Sequence, residues 1–262
     1  MRSEASKMDN DERRHCADYL VNSRICLEER LRMHRKWFVN HCSVGVYVYI
    51  CIDNYKSMEK KPIILLNIAH SDDTAGKRSP DGEFREWAYS TEICQRVADE
   101  LESHGFLVRL IKQKTYYGPS KGLKQVVDDA NAICNEYGAK NCIFVSIHVN
   151  ASAKAGWDVA TGWGAYTSIG KTKADTLAED LYWAAEQVLT PKGKKIRKDM
   201  SDGDKDYEES FYVLDKTICP AVLTENFFQN TKTDVAYLES EEGKRDIVKI
   251  HVDGILAYIQ KL

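Results

Sequence analysis

From Pro62 onward, short and nearly continuous apolar runs are separated by longer stretches in which apolar residues recur at helical spacing. The first run, Ile63-Ile64-Leu65-Leu66-Asn67-Ile68, reads as a strand buried on both faces. Glu86 to His104 is a predicted helix, with Ile93, Val97 and Leu101 on one side and Gly105 as its stop. Phe106 to Ile111 is a second strand, Ser120 to Tyr137 a second helix closed by Gly138, Cys142 to Val149 a third strand and Gly164 to Ser168 a fourth. Lys173 to Leu189 is a third helix, stopped before Pro191. Phe211 to Leu214 and Ala221 to Thr224 read as two further short strands, and Glu242 to Gln260 as a closing helix. The polar, glycine-containing stretch from Lys192 to Ser210 reads as a long functional loop. Strands alternating with helices require crossover connections. The expected architecture is therefore a single three-layer α/β domain over 62–262, with a mostly parallel twisted sheet flanked by helices.

The first 61 residues follow a different pattern. Asp11 to Val39 reads as one arginine-rich helix whose apolar stripe (Leu20, Leu27, Leu31) is broken by Arg24, and Val44 to Ile52 as a short β-rich run. This is an N-terminal helical extension. Met58, directly before the first core strand, is a candidate natural start. The apolar run comes late, is short and lacks a small-residue cleavage pattern, so no secretory signal is expected.

Composition narrows the partners. A formal net charge of −3 gives no basic excess for a nucleic acid. No apolar run approaches the roughly 20 residues that span a bilayer. The eight cysteines form no CxxC pair, and the downstream four (Cys94, Cys134, Cys142 and Cys219) sit in largely apolar settings, so the cysteines read as small buried hydrophobes of a chain made in a reducing compartment rather than as a metal site.

Candidate chemistry lies at the carboxyl ends of strands, where an open α/β sheet builds its sites. The first strand ends at His70, the third carries His148, and the strand after Pro220 ends at Glu225. Glu86 opens the helix after the first strand's loop and so returns to the same end of the sheet. Two histidines and a carboxylate are a common ligand set for catalytic zinc, with a second carboxylate to manage protons. Each residue also has a plainer reading: the histidines as capping or core groups, Glu86 as a first-turn glutamate favoured by the helix dipole, Glu225 as a loop carboxylate.

Four landmarks, in order, carry a resemblance. They are the strand with His70; Glu86 opening a helix; Phe144-Val145-Ser146-Ile147-His148-Val149-Asn150-Ala151; and Pro220-Ala221-Val222-Leu223-Thr224-Glu225-Asn226-Phe227-Phe228-Gln229-Asn230. From Pro62 to the C-terminus the chain resembles the zinc-dependent N-acetylmuramoyl-L-alanine amidases of the amidase-3 type, in particular versions from phages and gut bacteria, through Thr74 to Gly82. The resemblance implies that His70, Glu86 and His148 bind Zn2+, that Glu225 is the catalytic carboxylate, and that the substrate is the peptidoglycan amide between muramic acid and L-alanine. One departure is that the family's usual glycines flanking the first histidine are here Ala69 and Ser71. Substrate contacts are expected from Arg78, Arg197 and Tyr166, with Asn150 and Asn230 fixing loops beside the site. Trp157, Trp163 and Tyr166 are either stacking surfaces or core, Trp163 being the most inward. Two other functions stay open: another zinc peptidase acting on stem peptides, and a catalytically silent wall-binding relative. The expected site of action is the cell wall, reached from the cytoplasm by phage-like release or by another export route.

Overall fold

A computed structural model of the protein describes residues 61–114 and 119–262. The expectations for the N-terminal extension and Met58 lie outside the described residues. The elements run β1 (Ile63–Ile68), α1 (Glu86–Ser103), β2 (Leu107–Ile111), α2 (Pro119–Tyr137), β3 (Cys142–Asn150), β4 (Trp163–Thr167), α3 (Lys173–Leu189), β5 (Tyr207–Glu208), α4 (Tyr212–Lys216), β6 (Ala221–Phe228), α5 (Lys232–Glu239) and α6 (Glu241–Ile259). The six strands form one sheet in the order β2-β1-β3-β6-β4-β5, in which only the β4–β6 pair is antiparallel.

Alternation along the strands builds two cores. Ile64, Leu66, Ile68, Ile143, Val145 and Ile147 point to the layer of α1, α3 and α6. Ile63, Leu65, Cys142, Phe144 and Leu223 point to the layer of α2 and α4. Apolar side chains on both faces explain why β1 and β3 are nearly continuous apolar runs. On the first face α6 crosses α3 closely: a Cβ on Gly254 would lie 2.8 Å from the Cα of Leu181. Cys94, Cys134, Cys142 and Cys219 are free and buried. Among the described residues no helix is long and apolar enough to cross a membrane.

Two local expectations fail, and one helix goes unforeseen. Phe211–Leu214 is not a strand: Phe211 caps the short helix α4. Val213 and Leu214 both enter the α2-side core, and consecutive strand residues would point to opposite faces. The stretch after Lys192 contains β5, which pairs in parallel with β4 through Tyr166–Tyr207 and Thr167–Glu208. Helix α5 was not expected, because its eight residues carry only a short apolar pattern.

Candidate metal centre

β1, β3 and β6 are parallel neighbours, so their carboxyl ends share one edge of the sheet. Ser90 of α1 fastens two of them: the Ala69 N–H donates to Ser90 Oγ (2.9 Å), and that hydroxyl donates to the Ile147 carbonyl (2.6 Å). His70 then turns sharply, with φ +58°, in the left-handed region. A non-glycine residue held there costs about 1–3 kcal/mol, a strain typical of functional positions. Neither Ala69 nor Ser71, which stand where the family has glycines, takes a positive φ, because the unusual torsion falls on the histidine itself. Across the edge, the register between β3 and β6 shifts after His148–Glu225, and Phe227 takes φ +64°. Asn226 Nδ2 donates to the His148 carbonyl (2.8 Å) and holds this irregular segment.

Glu86, 1% exposed, sits beneath both imidazoles. Its Oε1 lies 3.3 Å from His70 Nε2 and 3.1 Å from His148 Nδ1, and accepts the Val149 N–H (3.1 Å). Ligand atoms ~2.0–2.1 Å from a tetrahedral ion are about 3.3 Å apart, so these separations fit a shared cation. Among the described residues this is the one group of three such side chains able to hold a metal ion, its donor atoms all within 4.8 Å of one another.

The protons of His148 can be assigned from its neighbours. Asn67 Nδ2 donates to the Ile68 and Ile111 carbonyls, which turns Asn67 Oδ1 toward Ser146. The Ser146 hydroxyl donates to that oxygen (2.7 Å), so its own oxygen accepts from His148 Nε2–H (3.0 Å). In the neutral ring Nδ1 is then a lone pair facing the Glu86 carboxylate. Two acceptors 3.1 Å apart repel unless a cation or a proton lies between them. His70 Nε2 and Glu86 Oε2 are also buried without hydrogen-bond partners. The donor set and the unmet acceptors both fit a metal ion.

Glu225 is the β6 partner of His148, and its Oε2 is buried without a hydrogen-bond partner. Burial, then the charge of Glu86, push its carboxyl well above the ordinary range, against the pull of Lys77 and Arg197. Burial likewise opposes the charge on Glu86, but the imidazoles of His148 and His70 beside it outweigh it and hold that carboxyl well below the usual range. Burial also lowers His148, which favours the neutral imidazole a metal requires. The two carboxyl groups are thus driven apart, one ionised and one poised to carry a proton. With Glu86 buried beneath the imidazoles, Glu225, His70 and His148 open on a cleft of about 390 Å³, lined also by Lys77, Gln113 and Tyr212. Sequence reasoning missed these three, although Lys77 lies inside the Thr74–Gly82 loop that it singled out.

The fold brings His70, Glu86, His148 and Glu225 together. It places the expected substrate contacts less closely. The Arg197 guanidinium stands 5.2 Å from the ring centres of both Tyr207 and Phe228, and its Nη1 is buried without a partner. Tyr166 is nearly buried against Tyr207 and Phe211. Arg78 is exposed, in a bridge with Arg85, and Asn150 Oδ1 accepts the Ala151 N–H. Asn230 pins the segment after β3: it accepts the Ser152 N–H (3.1 Å) and donates to Ser152 Oγ (2.7 Å). Trp163 is fully buried, edge-on to Tyr182, and is core.

Fold and site together define an α/β domain with a centre able to hold a metal ion at the ends of parallel strands. The chain belongs to the amidase-3 family, N-acetylmuramoyl-L-alanine amidase, whose sequence pattern matches residues 64–257. It is 30% identical over 123 residues to the N-acetylmuramoyl-L-alanine amidase CwlM of Bacillus licheniformis, a stretch covering 46% of this chain and 41% of that protein. It is 30% identical over 118 residues to the endolysin of Bacillus phage SPP1, covering 45% of this chain and 40% of the endolysin. The matches thus span about two fifths of these relatives. The fold is similar to the CwlD amidase of Clostridioides difficile, solved in complex with the GerS lipoprotein, with a TM-score of 0.61 and 19% identity over 77% of this chain and 100% of that one.

Proposed function

We propose that the protein is a zinc-dependent N-acetylmuramoyl-L-alanine amidase, which hydrolyses the peptidoglycan amide between the lactyl group of muramic acid and L-alanine. The observation that carries this reading is the encounter of His148 Nδ1 with Glu86 Oε1, two acceptors lacking a hydrogen between them, beside a buried and unpartnered Glu225 carboxyl. Family membership supplies the bond that is cut.

His70 Nε2, Glu86 and His148 Nδ1 hold the zinc, with Ser146 and Asn67 orienting His148 from behind. When bound there, zinc supplies Lewis acidity, polarising a carbonyl and acidifying a water. Glu225 takes the proton of the attacking water on its unpartnered Oε2 and returns it to the amide nitrogen, so that L-alanine leaves as an amine. The Lys77 ammonium beside the cleft favours the ionised form of Glu225 that starts this cycle. Arg197, whose Nη1 lacks a partner, pairs with a stem-peptide carboxylate, and Tyr166 backs its platform. Arg78 and Asn150 contribute at the rim.

Mass spectrometry of the soluble digest of purified peptidoglycan tests the reading. New L-alanine amino termini, with intact lactyl carboxylates on the glycan, are expected, and addition of a chelator abolishes them. Cleavage between stem-peptide residues instead would make the protein a different zinc peptidase. Absence of any cleavage by the zinc-loaded protein would make it a wall-binding relative.

A further inference from the structure

A second cavity, of about 620 Å³, lies at the β4–β5 edge of the sheet. Its wall is acidic: Asp175 and Glu179 come from α3, Asp202 and Asp204 from the loop before β5, and Glu208 from β5 itself. The loop reads Asp202-Gly203-Asp204-Lys205-Asp206, with a carboxylate at every second position. Several of these groups already have work. Asp175 accepts the Thr172 N–H in the capping box of α3, Glu208 accepts the Gly170 N–H, and Glu179 pairs with Lys205. Lys205 is also shared with Glu186.

Asp206 and Asp204 differ. Asp206 lies behind the cavity wall, 1% exposed. One of its oxygens accepts the Thr167 hydroxyl of β4 (2.5 Å), and the other, Oδ1, has no partner. Asp204 Oδ1 is likewise buried and unpartnered. Asp204 stands in the cavity wall with its carboxyl directly beside that of Asp206, so the two acids form a pair, one lining the acidic space and the other immediately behind it. Burial, together with Asp204, raises the pKa of Asp206 to about 7 despite the Thr167 hydroxyl. A carboxyl so placed next to another has two ways to be satisfied. It can share a proton with its neighbour, or the pair can share a cation.

We propose that Asp204 and Asp206 bind a hard divalent cation, Ca2+, within this acidic cavity. The carboxylates there offer oxygen alone, which suits Ca2+ and disfavours the nitrogen-seeking ions of the histidine site, and Lys171 is the one cation in the wall. The cavity leaves room for the waters that complete a calcium shell of 6–8 oxygens. A cation bound there ties the loop before β5 to Thr167 of β4. It thereby steadies Tyr207, whose ring lies under the Arg197 guanidinium.

The experiment is a calcium titration of the full-length, zinc-loaded protein at pH 7.5, read by calorimetry and by the melting temperature. Saturable one-site binding with a raised melting temperature is expected. Asp204→Asn and Asp206→Asn should each weaken binding by at least about tenfold, since each removes a charged ligand. Zinc content should not change, which separates this site from the histidine centre. The proposal is overturned if millimolar CaCl2 gives neither heat nor a shift in melting temperature. It is equally overturned if both variants respond like the parent. A melting temperature that rises on acidification through pH 7 with no response to calcium overturns it in favour of a shared proton. The parent titration is decisive by itself should a variant fail to fold.

Discussion

His148 and Glu225 are register partners on the adjacent parallel strands β3 and β6, so the proposed metal ligand and the proposed proton carrier are set against each other by backbone hydrogen bonding. Neither position depends on a mobile loop. The chemistry should therefore respond to side-chain identity at these two sites while the fold stays intact.

Glu225→Gln keeps the shape of the side chain and removes its capacity to carry a proton. Zinc content and melting temperature should stay near those of the parent, while amide hydrolysis on purified peptidoglycan falls roughly 10²–10⁴-fold. Turnover close to that of the parent would remove Glu225 from the mechanism.

His148→Ala should lose metal and activity together, each by more than about tenfold, because two remaining ligands hold zinc poorly. Atomic absorption on the purified variant decides this. Ser146→Ala is the companion: it leaves all three ligands but releases His148 Nε2 from its acceptor, and losses of about 10–100-fold in zinc affinity or activity are expected for such an orienting partner.

Arg197→Lys retains a charge but loses the planar fork. KM should rise about tenfold for muropeptides that carry free stem-peptide carboxylates, with zinc content unchanged. An equal effect on amidated muropeptides would mean that Arg197 only props the loop on Tyr207 and Phe228.

Stability should fall on mild acidification, through His251. Its Nδ1–H donates to the Ile247 carbonyl (2.7 Å), leaving Nε2 to accept from Thr224 Oγ1 (2.8 Å). Burial lowers its pKa from 6.5 to about 4. Above pH 6.5 the ring is neutral in both folded and unfolded chains and contributes no slope. Between 6.5 and about 4 only the unfolded chain takes up the proton, so stability declines as pH falls, by about 3 kcal/mol in all. Asp206 works in the opposite sense, since its raised pKa makes the folded chain the better proton acceptor as pH falls. Denaturant unfolding of the parent against His251→Gln isolates the histidine. Parallel pH dependences would exclude it.

Trp163→Phe removes the Nε1–H that donates to Asn226 Oδ1 (2.9 Å) in the core. Leaving that acceptor unpaired should cost about 1–3 kcal/mol, visible as a lower melting temperature with zinc stoichiometry unchanged. An unaltered melting temperature would show that Asn226 finds another donor.

Much of the sheet was legible because β1 and β3 bury both faces, and apolar runs broken only by Asn67 or Ser146 admit few other readings. β6 ran longer than expected. Thr224 and Asn226 look like strand-ending polar residues, but Thr224 reaches His251 and Asn226 reaches Trp163 and the His148 carbonyl, partners far away in sequence. β5 and α4 were misread for the opposite reason: each is too short to show a period, and pairing with Tyr166 or packing on α2 decides its form. At the site, the strand-end positions of His70, His148 and Glu225 could be read from spacing. The relay from Asn67 through Ser146 could not, because nothing in a strand's alternation says which buried polar side chains will meet across two strands.

The reversed direction of β4 has a consequence for how the domain can diversify. Because β4 runs against β3, the segment Ala151–Gly162 leaves and re-enters the sheet at the edge that carries the histidines, and Asn230 bolts its first half down through Ser152 and the Lys154 and Gly156 carbonyls. A change in the length of this segment would therefore alter the rim above the histidines without touching the strand pairing that sets His148 against Glu225.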